Sequence, residues 1–227
     1  MKAKYKIFSK YNNNILDHPK LKFNRLTSKK WLKLKTHLPR RLSEYGRLLE
    51  AKQKLRCFYG NLKERKFLSL YKESKKLKGN SGVNFIKLLE RRLDTVLFRS
   101  GFGNSFDEVR QLISHKHILV NNEIINISSY NLKERDIISL NPKSSQNLKD
   151  NIKISLESAL NFKSVEKLSF ENFKNLNPVL LSPNYISRNL ATLEIIYLYS
   201  PELEEVTYPI IIDLDLVMQY YEYQLHV

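Results

Sequence analysis

The apolar residues between positions 85 and 127 change from helical spacing to strand spacing, which restricts what the chain can fold into. Helical spacing comes first, at Phe85, Leu88, Leu89, Leu93, Val96 and Leu97. Ser105 followed three residues later by Glu108 is typical of a helix N-terminus and predicts a second helix. The apolar stripe of that helix consists of Phe106, Val109, Leu112 and Ile113.

A strand hairpin is predicted directly after the two helices. Ile118 and Val120 recur at every second position, as in a strand with one buried face. Asn121 and Asn122 tolerate the positive φ of a tight turn, and a second short strand is predicted at 123–127. The order of helix, helix and hairpin predicts an α+β fold.

Positive charge is concentrated in the first hundred residues. Residues 1–100 contain 28 Lys and Arg against 7 Asp and Glu, a net +21, whereas residues 101–227 contain 11 against 16, a net −5. This asymmetry predicts a polyanionic partner for the N-terminal half. Nucleic acid and anionic membrane are both polyanions, but no apolar run approaches the roughly 18 residues that span a bilayer. The balance favours nucleic acid.

A helical region is predicted before the central stretch. Ser43 is typical of an N-cap for a helix at 44–58, and Tyr59-Gly60 is typical of its end. A second helix is predicted at 63–77, and its cations point outward at Arg65, Lys66, Lys72, Lys75 and Lys76. The second half of the first hundred residues has 14 basic residues and only four acidic ones. Like charges at that density repel unless a counter-charge such as phosphate is present.

These stretches resemble a known family. The two helices followed by the sequence HKHILVN and its hairpin resemble the small RNA-binding domain named after small-subunit ribosomal protein S4. That domain also occurs in some pseudouridine synthases, tyrosyl-tRNA synthetases and a heat-shock protein. Residues 40–82 resemble the helical domain that only the ribosomal protein places there. The chain is identified as a member of the ribosomal protein S4 family, most similar to its mitochondrial members.

The resemblance implies an α+β architecture that begins with two RNA-binding domains. We expect a basic extended arm at 1–38, a helical RNA-binding domain at 39–84 and an S4-type RNA-binding domain at 85–140. The arm contains ten lysines and one acid. A transit peptide is the alternative for this arm, but transit peptides favour Arg and Ser over Lys and Asn. An arm that orders against RNA is favoured.

The last third of the chain is expected to complete the sheet. Residues 141–184 begin with Asn-, Ser- and Lys-rich sequence without periodicity, which predicts a loop or insertion. Residues 185–227 are expected to supply two strands about a turn at Pro201, which complete a mixed or antiparallel sheet. A final helix at 213–223 is expected to pack back on the earlier domains.

Two sets of side chains are predicted to contact RNA. The helical domain supplies Arg40, Arg41, Tyr45, Lys52, Lys54, Arg56 and Tyr59. The S4-type domain supplies Arg91, Arg92, Arg110, Gln111, His115, Lys116, His117 and Asn121. Arginine holds phosphate with a bidentate fork, and tyrosine can stack or pack. Lys116 and Asn122 both stand where relatives usually have glycine.

No catalytic residue, metal or other cofactor is expected. His115 and His117 invite a metal or catalytic interpretation, but two histidines without a nearby cysteine or matched carboxylate are weak evidence for either. Bacterial relatives often hold zinc near the N-terminus with several cysteines, whereas this chain has Cys57 alone. Cys57 is expected to be half-buried on a helix.

The resemblance implies a structural RNA-binding protein of the small ribosomal subunit. Such a protein binds small-subunit ribosomal RNA at a helical junction early in assembly. It also helps form the messenger entrance beside neighbouring small-subunit proteins, with an effect on decoding accuracy. Messenger RNA is a further candidate partner, and no membrane is expected. Similarity to mitochondrial members and the richness in Asn, Lys and Ile favour the mitochondrial ribosome.

Two alternatives remain open at this stage. An enzyme that carries the same small domain would need a catalytic domain of its own, and the 87 residues after Leu140 show no Gly-rich phosphate loop. A non-ribosomal RNA-binding assembly or rescue factor is the stronger alternative. Such factors are typically shorter and lack the helical signature at 40–82.

Overall fold

The computed structural model describes residues 43–154, 183–189, 192–209 and 211–226. The predicted arm, Arg40, Arg41 and most of the predicted insertion lie outside the described residues. The described residues form two compact units, and the boundary between them falls within one helix.

The first unit combines residues 43–73 with 208–226. It contains α1 (Glu44–Phe58), most of α2 (Glu64–Lys76) and the final helix of the chain, here α6 (Leu214–His226). Asp213 begins α6 by accepting a hydrogen bond from the Leu216 N–H at 3.3 Å. The predicted final helix is confirmed.

Local sequence explains where α1 begins and ends. Ser43 Oγ accepts a hydrogen bond from the Gly46 N–H at 3.2 Å, and the Tyr59 N–H donates to the Leu55 carbonyl at 3.3 Å. Gly60 follows with φ of 67°, in the left-handed region that glycine enters without steric cost. The predicted bounds of α1 are confirmed, and those of α2 are confirmed to within one residue at each end.

Aromatic side chains fill the core of the first unit. Tyr71 stacks on Tyr221 with ring centroids 4.8 Å apart, and the Tyr221 hydroxyl donates to Glu64 Oε1 at 2.9 Å. Burial and the nearby carboxylate raise the pKa of Tyr221, which therefore stays protonated as a donor. Cys57 is buried in this unit rather than half-buried. The final helix thus packs on α1 and α2.

The second unit, residues 74–207, is a five-stranded antiparallel sheet with helices. The strands are β1 (Ile118–Val120), β2 (Glu123–Ile124), β3 (Ile137–Leu140), β4 (Ile186–Asn189) and β5 (Glu194–Tyr197). Their order is β2-β1-β3-β5-β4. The helices are α3 (Ser81–Glu90), α4 (Leu93–Arg99) and α5 (Phe106–Ser114). Apolar side chains of α4 and α5 share one core with β1, β3, β4 and β5, so the predicted α+β class is confirmed.

The helix predicted to run through Arg91 and Arg92 is instead two helices, α3 and α4. Arg92 is extended, with φ of −72° and ψ of 141°, and pairs with Asn131 as an antiparallel bridge. The Arg91 carbonyl accepts a hydrogen bond from the Leu132 N–H at 2.9 Å. Here, hydrogen bonds to residues 131–132 replace the hydrogen bonds that would continue the helix. The prediction of one continuous helix is wrong for that reason.

The predicted strand pair about Pro201 is wrong in its second strand. β5 precedes Pro201 as expected, but its antiparallel partner is β4, which comes earlier in the chain. In the described part after Pro201, Leu203–Glu205 form a 3-10 turn. Glu205 Oε2 accepts from the Glu202 N–H at 3.0 Å, so the backbone is satisfied locally. Pro201 and Pro209 have no N–H to donate to a strand partner.

The prediction of a loop from 141 is wrong for residues 146–154, which are helical. Leu148 and Ile152 lie one turn apart, and both pack on the core of the second unit. Leu148, Ile152 and the exposed Ile154 are too few to form a recognisable helical stripe, which explains the error. Within the described ranges, no helix has both the length and the apolar character to cross a membrane.

A buried ion pair joins α3 to α4. Glu90 is 0% and Arg99 2% exposed, and Arg99 Nη2 and Nε donate to the two Glu90 carboxylate oxygens at 2.7 and 3.2 Å. The Tyr185 hydroxyl donates to Glu90 Oε2 at 2.8 Å, and Arg99 Nη1 donates to the Thr207 carbonyl at 2.7 Å. The pair therefore also holds the residue before β4 and the last residue of the unit.

We expect Arg99→Met to lower the free energy of unfolding by about 3 kcal/mol or more, because Glu90 stays buried without its partner. The double variant Glu90→Leu/Arg99→Met removes both charges and is expected to be more stable than the single variant. Urea denaturation of both variants measures the difference. If the double variant proves no more stable than Arg99→Met, the cost does not arise from an uncompensated carboxylate.

Candidate RNA-binding surfaces

Asp94, at the start of α4, orients two of the predicted RNA contacts. Its buried carboxylate accepts hydrogen bonds from Arg92 Nε and Nη2 and from Arg110 Nε, each at 3.0 Å. Arg92 is itself buried, so its guanidinium stabilises the break between α3 and α4. The Arg110 side chain is 26% exposed and lies over the Phe106 ring at 5.5 Å. Asp94 thus holds Arg110 in one direction near the surface of the second unit.

A left-handed residue ends α5 and begins the turn into β1. The Lys116 N–H donates to the Ile113 carbonyl at 3.0 Å, and the His117 N–H donates to the Leu112 carbonyl at 3.1 Å. This is the hydrogen-bond pattern of a Schellman motif, in which glycine is usual at the position of Lys116. Lys116 has φ of 61° and is exposed. A lysine here accepts some steric cost and adds a cation to the surface.

The hairpin turn between β1 and β2 forms as predicted. Asn121 and Asn122 have φ of 50° and 67°, as a type I′ turn requires. The Asn121 side chain accepts from the Ile137 N–H at 3.0 Å and donates to Asp136 Oδ1 at 2.9 Å. Both ends of this amide therefore hold β3. The second strand of the hairpin ends at Ile124, three residues before the predicted end.

Three of the predicted residues line one groove in the second unit. Gln111, His115 and His117 form one side, and the helical segment 146–154 forms the other. His117 Nδ1 lies 3.0 Å from Ser144 Oγ, and the two histidine rings are 6.2 Å apart. No group of three or more possible metal ligands occurs in the described part of the chain.

Several predicted cations of the first unit have protein partners. Lys52 is buried, with Nζ 3.1 Å from Glu64 Oε2 and 4.3 Å from the centre of the Tyr220 ring. Arg56 Nη1 contacts the same Glu64 oxygen at 3.4 Å. Lys54 pairs with Glu50 at 2.8 Å one turn away on α1. Lys52 is therefore part of the core, whereas Lys54 and Arg56 stay partly exposed.

The two predicted tyrosines differ in exposure. Tyr59 is 1% exposed, and its hydroxyl lies 2.7 Å from that of Tyr208, so it packs inside the first unit. Tyr45 is 48% exposed, with ring centroids 5.9 Å from Tyr220 and 6.0 Å from Tyr223. A hydrogen bond with Tyr220 raises the pKa of Tyr45. Of this pair, Tyr45 presents an aromatic face to solvent.

The sequence predicts that the cations of α2 point outward, but these cations are not among the side chains predicted to contact RNA. Exposed residues recur along α2 at helical spacing, at Arg65, Ser69, Lys72 and Lys76. The opposite face carries the buried Phe67, Leu70 and Tyr71. Helical periodicity alone identifies this cationic face. No comparable signal points to the groove residues Asn147 and Asn151, because their segment was predicted as a loop.

The α+β fold and its exposed cations fit the class of RNA-binding proteins, and comparison with known proteins identifies the family within that class. The family model for the ribosomal protein S4/S9 N-terminal domain matches residues 2–90, and the S4 domain matches residues 91–138. The small ribosomal subunit protein uS4m of Reclinomonas americana is 36% identical over 225 residues, which cover 97% of this chain and 83% of the relative. The uS4 protein of Pelagibacter ubique is 40% identical over 179 residues, which cover 79% and 77%.

The chain belongs to the small ribosomal subunit protein uS4 family. The family was identified from residues 40–82 and the central stretch, and near full-length similarity confirms it. Its members are ribosomal structural proteins and not enzymes, so the enzyme alternative is excluded.

We expect Lys116→Gly to raise the free energy of unfolding by about 0.5–1 kcal/mol, because glycine adopts this φ without steric cost. Affinity for RNA is expected to fall in the same variant, since a surface cation is lost. Urea denaturation and RNA-binding titrations measure the two effects. Lys116→Asn is the control, because asparagine also tolerates the left-handed region. A loss of stability in the glycine variant would contradict the assigned strain.

Proposed function

We propose that the chain is a structural constituent of the small ribosomal subunit and binds small-subunit ribosomal RNA. The observation that carries this proposal is the similarity to uS4m over 97% of the chain. The exposed cations of α2 and the surface at the end of α5 supply the positive charge that an RNA backbone requires.

Recognition is expected to depend on RNA shape more than on base sequence. The deep major groove of A-form RNA hides base edges from side chains, so phosphates, sugars and splayed bases are the accessible groups. Among the predicted contacts, the exposed or partly exposed residues are Tyr45, Lys54, Arg56, Arg91, Arg110, Gln111, His115, Lys116, His117 and Asn121. We assign direct contact to these residues except Asn121, whose side-chain amide already bonds Asp136 and the Ile137 N–H. Asn121 has a supporting role, as do the buried Lys52, Tyr59 and Arg92. Arg91 is half-buried at the end of α3 and is kept as a contact.

We further propose where the protein lies in the ribosome and what it does there. From the family resemblance, we infer that the protein binds at a helical junction early in assembly. We also infer that it lies at the messenger entrance beside neighbouring small-subunit proteins and affects decoding. Location in the mitochondrial ribosome is supported by the mitochondrial relative, although other relatives are bacterial.

Binding to small-subunit RNA is expected to be strongly salt-dependent. If about eight phosphates are neutralised, the logarithm of the affinity falls against the logarithm of salt concentration with a slope of roughly −6 to −7. A binding titration of the full chain with small-subunit RNA transcribed in vitro measures this slope. A slope shallower than about −2 would contradict the proposal that phosphate contacts dominate binding.

Variants on α2 test which cations contribute to that slope. We expect Arg65→Gln and Lys72→Gln each to make the slope shallower by about 0.7–0.9, because each removes one phosphate contact. Lys133→Gln is the matched control, since Lys133 is exposed like the α2 cations but belongs to neither set of predicted contacts. Equal effects at all three positions would show that overall charge, rather than the α2 face, determines binding.

Sedimentation separates a ribosomal constituent from a transient factor. After a high-salt wash of the organelle lysate, the protein is expected to stay with the small subunit at about one copy per particle. Release into the light fractions would instead favour an assembly or rescue factor built on the same domains.

A further inference from the structure

The groove beside α5 differs in chemistry from the cationic face of α2. We call it the amide groove, and define it by Gln111, His115 and His117 on one side and by Asn147 and Asn151 on the other. Its volume is about 660 Å³. That lies within the range of roughly 300–1,000 Å³ typical of pockets that bind small organic groups.

The apolar base of the amide groove is formed by both sides. Leu112 of α5 and Leu148 of the 146–154 segment line it and pack against the core, and Ile152 is 3% exposed. An aromatic heterocycle could lie flat on such a base without leaving a polar group unsatisfied. Amide side chains at the rim each offer a donor beside an acceptor.

The charge at the amide groove argues against phosphate as its occupant. Among the described residues, no Lys or Arg lines it, and the one carboxylate there is that of Glu108, which accepts a hydrogen bond from the Asn104 N–H at 2.8 Å. Phosphate oxygens would face a carboxylate without a compensating cation. A neutral base with an exocyclic amine suits the same surroundings, because amides and carboxylates accept hydrogen bonds from such amines.

A phosphate contact is available next to the groove. Lys116 is exposed and lies in the chain between the two lining histidines. The left-handed turn therefore places the Lys116 cation beside the rim of the groove. A nucleotide that inserts its base into the groove keeps its phosphate outside, where this cation can offset the phosphate charge.

We propose that the amide groove holds an unpaired adenine of the bound RNA, stacked on Leu112 and Leu148 and read at its edge by Gln111 and Asn151. Asparagine and glutamine pair bidentately with adenine, which donates from N6 and accepts at a neighbouring ring nitrogen. Sequence-specific RNA recognition commonly uses splayed bases in this way. This inference rests on the proposed RNA-binding function and adds a base-reading site to it.

Paired titrations of the full chain with transcribed small-subunit RNA test the proposal. The double variant Gln111→Ala/Asn151→Ala is expected to weaken binding by roughly tenfold. Its salt slope is expected to stay that of the unsubstituted protein, since no phosphate contact is lost. Ser114→Ala, at an exposed position of α5 outside the groove, is the control and is expected to bind normally. Thermal unfolding confirms that each variant is folded.

Dimethyl sulfate probing of the same complexes locates the base. The unsubstituted protein is expected to protect N1 of one unpaired adenine from methylation, and the double variant is expected to leave that nitrogen reactive. Hydroxyl-radical footprinting of the same complexes is expected to show unchanged protection of the RNA backbone. Unchanged affinity and unchanged protection in the double variant would overturn the groove proposal, as would a shallower salt slope. Failure of the unsubstituted protein to bind small-subunit RNA would instead overturn the proposed function.

Discussion

The second unit depends on a carboxylate that is fully withdrawn from water. Glu90 needs Arg99 because an unpaired buried charge is costly, and Arg99 in turn reaches the Thr207 carbonyl at 2.7 Å. The hydrogen bond from the Tyr185 hydroxyl extends the network to the start of β4. Segments separated by about a hundred residues thus share one polar centre.

The need of buried carboxylates for a cationic partner divides the basic residues of the protein into two groups. Arg92 and Lys52 satisfy buried or partly buried carboxylates, whereas Lys72 and Lys116 face solvent. Arg110 stands between these groups, because Asp94 holds its Nε while part of the side chain stays exposed. Net charge therefore overstates the number of cations available to RNA. Which lysines and arginines point outward depends on tertiary structure.

Features controlled by neighbouring residues were predictable from the sequence. Ser43 and Ser105 begin helices because their side chains accept hydrogen bonds from nearby N–H groups, at Gly46 and Glu108 respectively. The Asn121-Asn122 turn forms because asparagine tolerates positive φ. Glu108 departs from a complete capping box in one respect, since its carboxylate accepts from the Asn104 N–H. These signals extend over no more than four residues.

Features that depend on distant pairing were not predictable. The apolar spacing continues across Arg91 and Arg92, so periodicity gives no sign of the break that the 130–132 segment imposes. β4 has a single apolar residue at its start, Ile186, and is recognisable only beside β5. The amide groove was equally hidden, because its second side is a helical segment with three apolar residues, of which only Leu148 and Ile152 pack on the core.

The two edges of the sheet have a consequence for the protein before it meets RNA. β2 pairs over only two residues, and β4 over four that include Arg188 and Asn189. A short edge and a charged edge both make poor templates for another strand. Together with a net charge of +16, they disfavour strand-to-strand association between copies. In a newly made chain, the described edge strands and the net charge therefore both oppose self-association.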